Sequence, residues 1–381
     1  MTAEGPDPGE AARVAGAMGA DADAPWTATR VGRNVAGATA GLWRVEGDDW
    51  RAICKVAAHS DHGHERWRTT DEETDPWFSH REPLAYCSGF LRRVVDDSAS
   101  GLRTPGVLAC FERDDGSTAT WLEDVRGLPG AEWPFIGHPA ASRALGRLQG
   151  ALVVEDAVPT EPWLSRGWLR SYVERVRPST DQLLDDDLWR DVPAQVRDIA
   201  ALRDDFVRLR GLQPRLLDAL DALPRTFCHL DFYPDNLIGV TTRDGESRVV
   251  MIDWAYCGIG AIGEDVGNQV PDTMADCFVE PSAGPMLEQM CVGAYLMGLA
   301  DAGWQGDERL VRLGYAAGAA VKLTWLLPRQ LEIGRDDDAM AASPGFRGFP
   351  IEEVVRRRTE VCAQLPPLGE EAGRLADELG L

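Results

Sequence analysis

The sequence predicts an α+β protein in two parts, a small antiparallel sheet followed by a larger, mainly helical portion. Three observations predict it. Residues 28–57 alternate with the period of strands and are interrupted by turns of small residues and Asp. From Pro139 onward the apolar residues recur at helical spacing. Late in the helical portion, residues 236–252 return to strand character around Asp244-Gly245, a strong hairpin-turn signal. At 381 residues the chain is long enough for two such parts, each with its own core.

Residues 1–25 are rich in Ala, Gly and acid and are expected to form a flexible leader, with at most a turn or two of helix in 9–19. They lack the basic region and apolar core of a secretory signal. Strands are predicted over 28–35, 42–46 and 50–57, with a small-residue turn at 36–41. A helix follows over 77–94. Glu82, Tyr86, Phe90 and Val94 share one face, and Pro83 lies in the first turn, where proline is tolerated. Two more strands, 107–112 and 119–122, flank the turn Asp114-Asp115-Gly116. Helices are then expected over 138–153, 163–176, one or two within 181–221, and over 271–279, 284–301, 307–327 and 350–364, with a mobile loop at 334–348. The polar stretch 59–75 carries His59, His62 and His64, but neither Cys nor helical spacing accompanies them. It reads as a solvated loop rather than a closed metal site.

Composition bounds the function. The net charge is −23, which argues against non-specific nucleic-acid binding and suits either solubility or cationic small molecules. No apolar run approaches membrane-spanning length, so no membrane partner is expected. Eight scattered cysteines without a Cys-x-x-Cys pair read as reduced, buried thiols of a cytoplasmic protein. Of 39 basic residues only Lys55 and Lys322 are lysine, leaving 39 − 2 = 37 arginines. A lysine at position 55, in a chain that otherwise uses arginine, calls for a reason.

The chemistry concentrates in 227–265. His229-Leu230-Asp231 is followed five positions later by Asn236, and Asp253 ends an apolar run seventeen positions beyond that. The hairpin should bring Asn236 and Asp253 side by side, with Asp231 on the loop upstream. Two such oxygen donors suit Mg²⁺. A further carboxylate could orient and deprotonate a hydroxyl.

"HLDFYPDN" followed by "IDW" resembles the catalytic loop and metal-binding aspartate of the aminoglycoside phosphotransferase and choline kinase superfamily, small-molecule relatives of protein kinases. The resemblance implies a two-lobed, protein-kinase-like fold. Residues 26–125 would be the nucleotide-binding lobe and hinge, and 126–381 a helical lobe with the catalytic loop and acceptor site. It makes Asp231 the catalytic base, and Asn236 and Asp253 the Mg²⁺ ligands. Lys55, in "RAICKVAA", would contact the α and β phosphates as a compact charge that Arg does not duplicate. Glu82, in "REPLAY", would hold that lysine, and the Gly37–Gly41 turn would cover the phosphates with backbone amides. "TWLEDVRG" resembles the hinge, with the Glu123 carbonyl and Val125 amide on the adenine edge. Asp265 resembles a family aspartate that braces the glycine-rich loop after Asp253.

Asp272, Asp276, Glu280 and Trp325 could line the acceptor site, although exposed acids also make a solvated helix face and Trp a core residue. The implied activity is transfer of the γ-phosphate of ATP or GTP to a small-molecule hydroxyl. The acceptor would be an aminoglycoside or other hydroxylated antibiotic, or alternatively a sugar, choline-like compound or nucleoside. The rival class is a catalytically silent nucleotide-binding protein. Lys55, Glu82, Asp231, Asn236 and Asp253 occurring together argue against it. The short glycine-rich segment after Asp253 and the lack of Ala-Pro-Glu speak against a protein kinase. Neither lysine follows a Gly-rich loop into Ser or Thr, which excludes a Walker-type NTPase.

Overall fold

A computed structural model describes residues 5–31, 37–58, 67–193, 196–336, 343 and 345–381. His59, His62 and His64, and much of the predicted loop at 334–348, lie outside the described residues. The chain divides into two compact units. The first comprises Met1–Leu128, Thr160–Arg166 and Asn236–Cys257, and the second Pro129–Pro159, Gly167–Asp235 and Gly258–Leu381. The hairpin after Asn236 thus belongs to the first unit, whereas the sequence grouped it with the helical part.

The first unit is built on a five-stranded antiparallel sheet, in the order Trp26–Arg30, Thr39–Gly47, Arg51–Ala57, Thr118–Glu123, Val107–Glu112. Strand alternation sorts its faces. Ala52, Cys54 and Val56 are fully buried on one face, which places Lys55 on the other. The buried face is covered by an N-terminal helix, Pro8–Ala17, so the expected flexible leader is corrected. Ala11, Val14 and Ala15 form an i, i+3, i+4 stripe that packs with Val45, Trp50 and Trp121. Asp7 caps the helix. Glu10 is buried, ion-paired to Arg113 at 2.8 Å, and accepts a hydrogen bond from the Trp121 indole at 3.1 Å.

The helix predicted over 77–94 is shorter. It runs Arg81–Cys87 and is followed by a π-helical turn, Arg92–Asp96, because Gly89 takes a left-handed conformation between them. Cys87 and Cys110 form a disulfide, which corrects the expectation of eight reduced thiols. The other six cysteines are buried and free. The predicted hairpin is present as Leu237–Thr241 paired with Ser247–Met251, with Gly245 in the left-handed conformation its turn requires.

The second unit is mainly helical around one antiparallel strand pair, Arg225–Cys228 with Gly258–Ala261. A largely buried helix, Glu308–Lys322, continues after a short break as Leu326–Arg335. The stretch Glu308–Arg335 is long and apolar enough to span a membrane, contrary to the sequence expectation. However, 83% of its apolar window is buried inside the protein, as in a core helix. Gly137–Val154 packs against Gly284–Asp301 so closely that a Cβ on Gly146 would stand 2.2 Å from the Tyr295 carbonyl oxygen.

Two helices begin elsewhere than predicted, each after a left-handed glycine. Trp168–Asp181 follows Gly167, and Glu264–Ala275 follows Gly263, so Pro271 sits inside the latter helix rather than starting it. The last helix, Ile351–Leu379, runs through Pro366-Pro367 instead of stopping at 364. It packs on Glu308–Lys322 and Arg203–Ala222, and this tertiary contact outweighs the local cost of proline.

Candidate active site

In the first unit, Lys55 is held between two carboxylates. Its Nζ lies 2.5 Å from Glu82 Oε2 and 2.9 Å from Asp253 Oδ1. The strand points the lysine away from the sheet core, the short helix supplies Glu82 from its first turn, and Asp253 follows the hairpin. Burial pushes the ammonium down, but Asp253 and Glu82 more than reverse this and hold it above its ordinary value. Glu82 is raised by burial, against the pull of Lys55. It also accepts from the Trp254 amide at 3.3 Å. Asp253 has φ 61°, a left-handed conformation that costs a non-glycine residue about 1 kcal/mol or more.

Next to Glu82, the fully buried Arg81 donates to the carbonyls of Asp75 (2.5 Å), Pro76 (2.8 Å), Trp163 (2.8 Å) and Ala255 (3.2 Å). It ties the helix start to the segment after Asp253.

Asn236 and Asp253 leave from adjoining positions at the hairpin base, where the Ile252 amide donates to the Asn236 carbonyl at 3.0 Å. An amide oxygen and a carboxylate are hard donors that fit Mg²⁺, with water and phosphate oxygens completing its shell. Among the described residues no cluster of three or more His, Cys, Asp or Glu offers another cation site.

In the second unit, Asp231 follows Leu230, whose φ of 63° is also left-handed. Asp265 holds that turn. Its fully buried carboxylate accepts from the amides of His229 (2.9 Å) and Leu230 (2.7 Å) and from Gln149 Nε2 (2.8 Å). Burial raises its pKa to about 6 against these stabilising bonds. Asp265 therefore braces the loop that bears Asp231, not the glycine-rich segment to which the resemblance assigned it.

Asp231 Oδ1 lies 3.7 Å from Lys322 Nζ, and the same ammonium donates to Asp272 Oδ2 at 2.6 Å. Lys322 is 7% exposed and stands over the Trp168 ring at 5.6 Å. Burial disfavours its charge, but Asp272 and Asp231 hold its pKa above the ordinary value.

The remaining expected acceptor residues are also occupied within the second unit. Asp276 is raised to about 6 by burial and by neighbouring Asp272, and lies 3.5 Å from Arg358. Glu280 pairs with Arg356 at 2.8 Å and Arg357 at 2.5 Å. Asp235 pairs with Arg347, whose guanidinium stacks 3.9 Å from the Phe278 ring. Trp325 is half-buried in the break after Glu308–Lys322.

Residues 31–304 match the model of the phosphotransferase enzyme family. The chain belongs to that family. It is a small-molecule kinase, and its α+β fold is protein-kinase-like. Solved structures support the fold alone, since their identities are low. A microcompartment-associated aminopropanol kinase is 15% identical with a TM-score of 0.52, the match covering 93% of this chain and 95% of that one. The amicoumacin kinase hAmiN, solved with AMP-PNP, Ca²⁺ and Ami, is 10% identical with a TM-score of 0.51 and 89% coverage of both chains. Choline kinase from Cryptosporidium parvum Iowa II is 13% identical with a TM-score of 0.50, covering 93% and 91%. A comparison with curated protein sequences returned no match.

In this phosphotransferase, Lys55, Glu82 and Asp253 come together in one unit, and Asp231 and Asp272 meet through Lys322 in the other. The four expected nucleotide contacts lie as follows. A Cβ on Gly37 would stand 1.8 Å from the Trp67 carbonyl oxygen, so close backbone packing alone demands glycine there. Gly41 lies within a strand opposite Val56. The Glu123 carboxylate pairs with Arg103 at 2.8 Å, and Val125 lies in the loop beyond that strand. Lys322, Gln149 and Arg81 were not singled out as site residues from the sequence. Only the scarcity of lysine pointed to the first.

Proposed function

We propose that the protein transfers the γ-phosphate of ATP to a hydroxyl of a small molecule. The observation that carries this reading is the Lys55 ammonium fixed between Glu82 and Asp253. A buried, pre-aimed cation of this kind suits phosphate oxygens and needs no reorganisation when charge develops. ATP is favoured over GTP by analogy with the amicoumacin kinase, whose structure holds AMP-PNP. Gly37, Gly41, the Glu123 carbonyl and the Val125 amide are proposed nucleotide contacts of the first unit. Mg²⁺, held by Asn236 and Asp253, would neutralise phosphate charge. In the second unit Asp231 takes the acceptor's proton as the hydroxyl oxygen bonds to phosphorus, and the bond from the γ-phosphorus to the β–γ bridging oxygen breaks to release ADP.

The acceptor we favour is a hydroxylated antibiotic or amino alcohol of small size and low positive charge. Asp272, Asp276 and Glu280 are already matched by Lys322, Arg358, Arg356 and Arg357. A polycationic aminoglycoside would have to displace these internal cations. It remains the second reading, favoured by the net charge of −23. Sugars, choline-like compounds and nucleosides complete the panel.

A coupled ADP-release assay with Mg²⁺, ATP or GTP and that panel tests the proposal. Wild type should turn over at least one acceptor of low charge, and Asp231→Asn should lose about 10²- to 10⁴-fold. Equal turnover by the two proteins would remove Asp231 as the base, and no turnover of any acceptor by wild type would leave only a nucleotide-binding role.

A further inference from the structure

We propose that Lys322 is a positioning residue for the transfer step, whose ammonium, anchored on Asp272, sets the charge state and orientation of the Asp231 carboxylate. This inference rests on the assignment of Asp231 as the base.

The geometry is asymmetric. Lys322 Nζ makes a hydrogen bond to Asp272 at 2.6 Å, whereas Asp231 at 3.7 Å lies within ion-pair reach but beyond a hydrogen bond. Asp272 thus fixes where the cation sits, and Asp231 experiences its field without a direct bond to it. A cation at that distance favours the ionised carboxylate, which is the form that can accept a hydroxyl proton. Lys322 moves no proton itself. The hydroxyl proton passes to the Asp231 carboxylate, and the ammonium keeps its three.

The surroundings make this a built position. Lys322 closes the buried helix Glu308–Lys322, and Asp272 comes from Glu264–Ala275, which packs against it. Trp168 and Tyr172 face the ammonium from a third helix, Trp168–Asp181. A small cavity beside it is lined by Leu230, Glu264 and Asn268. Both polar atoms of the buried Asn268 side chain lack a protein partner. On the loop of Asp231 itself stand the titratable His229, Tyr233 and Asp235, and burial together with Asp231, Asp235, Asp276 and Asp272 raises the Tyr233 phenol. In a chain with 37 arginines, this position between two carboxylates and an indole carries the compact ammonium of lysine rather than a planar guanidinium.

Two variants should act in opposite directions. Lys322→Met removes the cation and should move the acidic limb of the kcat/KM profile up by about one pH unit, with kcat down about tenfold. Asp272→Asn lets Lys322 serve Asp231 alone and should move the same limb down. A scaffold role would shift neither limb, whatever it did to Tm, and unmoved limbs in both variants overturn the proposal. A second measurement needs no turnover. Protein labelled with ¹⁵N at lysine Nζ contains only two such side chains. The resonance absent from Lys322→Met should shift in Asp231→Asn, while that of Lys55 stays. An unshifted Lys322 resonance overturns the pairing. Loss of all wild-type turnover would refute the kinase reading instead, and the resonance would still decide this one.

Discussion

The two lysines of this chain occupy parallel situations in different units. Each is buried between two carboxylates, and each has one carboxylate from a helix. They differ in how evenly the carboxylates share the ammonium. At Lys55 the distances are 2.5 and 2.9 Å. At Lys322 they are 2.6 and 3.7 Å. An evenly shared ammonium is held in place and suits the binding of phosphates that arrive from outside. An unevenly shared one is anchored on one acid and tunes the other. On the proposed reading the same side chain serves as a binding group in one unit and as an electrostatic setting in the other.

The largest expected effect breaks the Lys55 arrangement from the metal side. Asp253→Ala should abolish Mg²⁺-dependent nucleotide binding in calorimetry, and retained metal-dependent affinity would move the metal elsewhere. Next, Lys55→Arg should lower kcat/KM by about 10²-fold, because charge is kept while the close fit to Glu82 and Asp253 is lost. The folding midpoint should change little. Equal pH-limb behaviour in Lys55→Arg and Lys322→Arg would erase the distinction drawn between the two sites.

Smaller still, Asp265→Asn should cost about 1–3 kcal/mol of stability in denaturant titrations, since it weakens acceptance from two buried amides. It should also lower kcat by loosening the Leu230 turn, with little effect on nucleotide affinity.

The smallest effect is on stability against pH. Burial lifts Glu264 to about 7, and lifts Asp265 and Asp276 to about 6. These folded-state values exceed the unfolded ones near 4, so the folded protein binds these protons more tightly. Their contribution is present at low pH and is lost as pH rises through about 4 to 7. His138, pressed down to about 4 by burial, opposes them below about pH 6.5, one group against three. Tm should therefore fall by about a few degrees between pH 5.5 and 7.5, and Glu264→Gln should flatten the slope. A midpoint that rises over this range would show that other groups dominate.

Legibility followed from how local each signal was. The Lys55 strand, the Glu82 helix and the hairpin each carry their own periodicity or turn residue, so their assignment needed no tertiary knowledge. Lys322 ends an Ala- and Gly-rich helix, where a lysine is unremarkable as a partner for the helix dipole. Its partners stand 50 and 91 positions earlier (322 − 272 and 322 − 231), and no local pattern reports that. The N-terminal helix was underestimated because its apolar stripe is one Val and two Ala, weak until Trp50 and Trp121 supply the opposing surface. The Cys87–Cys110 disulfide joins a helix end to a neighbouring strand across 23 positions, a pairing that spacing alone does not encode. Pro366-Pro367 reads as a stop signal, and only packing against two other helices explains why the last helix passes through it.

The scarcity of lysine has a consequence for surface reactivity. Apart from the α-amino group, the chain's primary amines number two. Both are protonated, and their side chains are only 11% and 9% exposed. Amine-directed acylating reagents should therefore find almost nothing to modify on the folded surface. Any label found on a lysine would report the opening of one carboxylate-held pair or the other. The protein carries its own pair of chemical reporters, one in each unit, against a background of unreactive guanidinium groups.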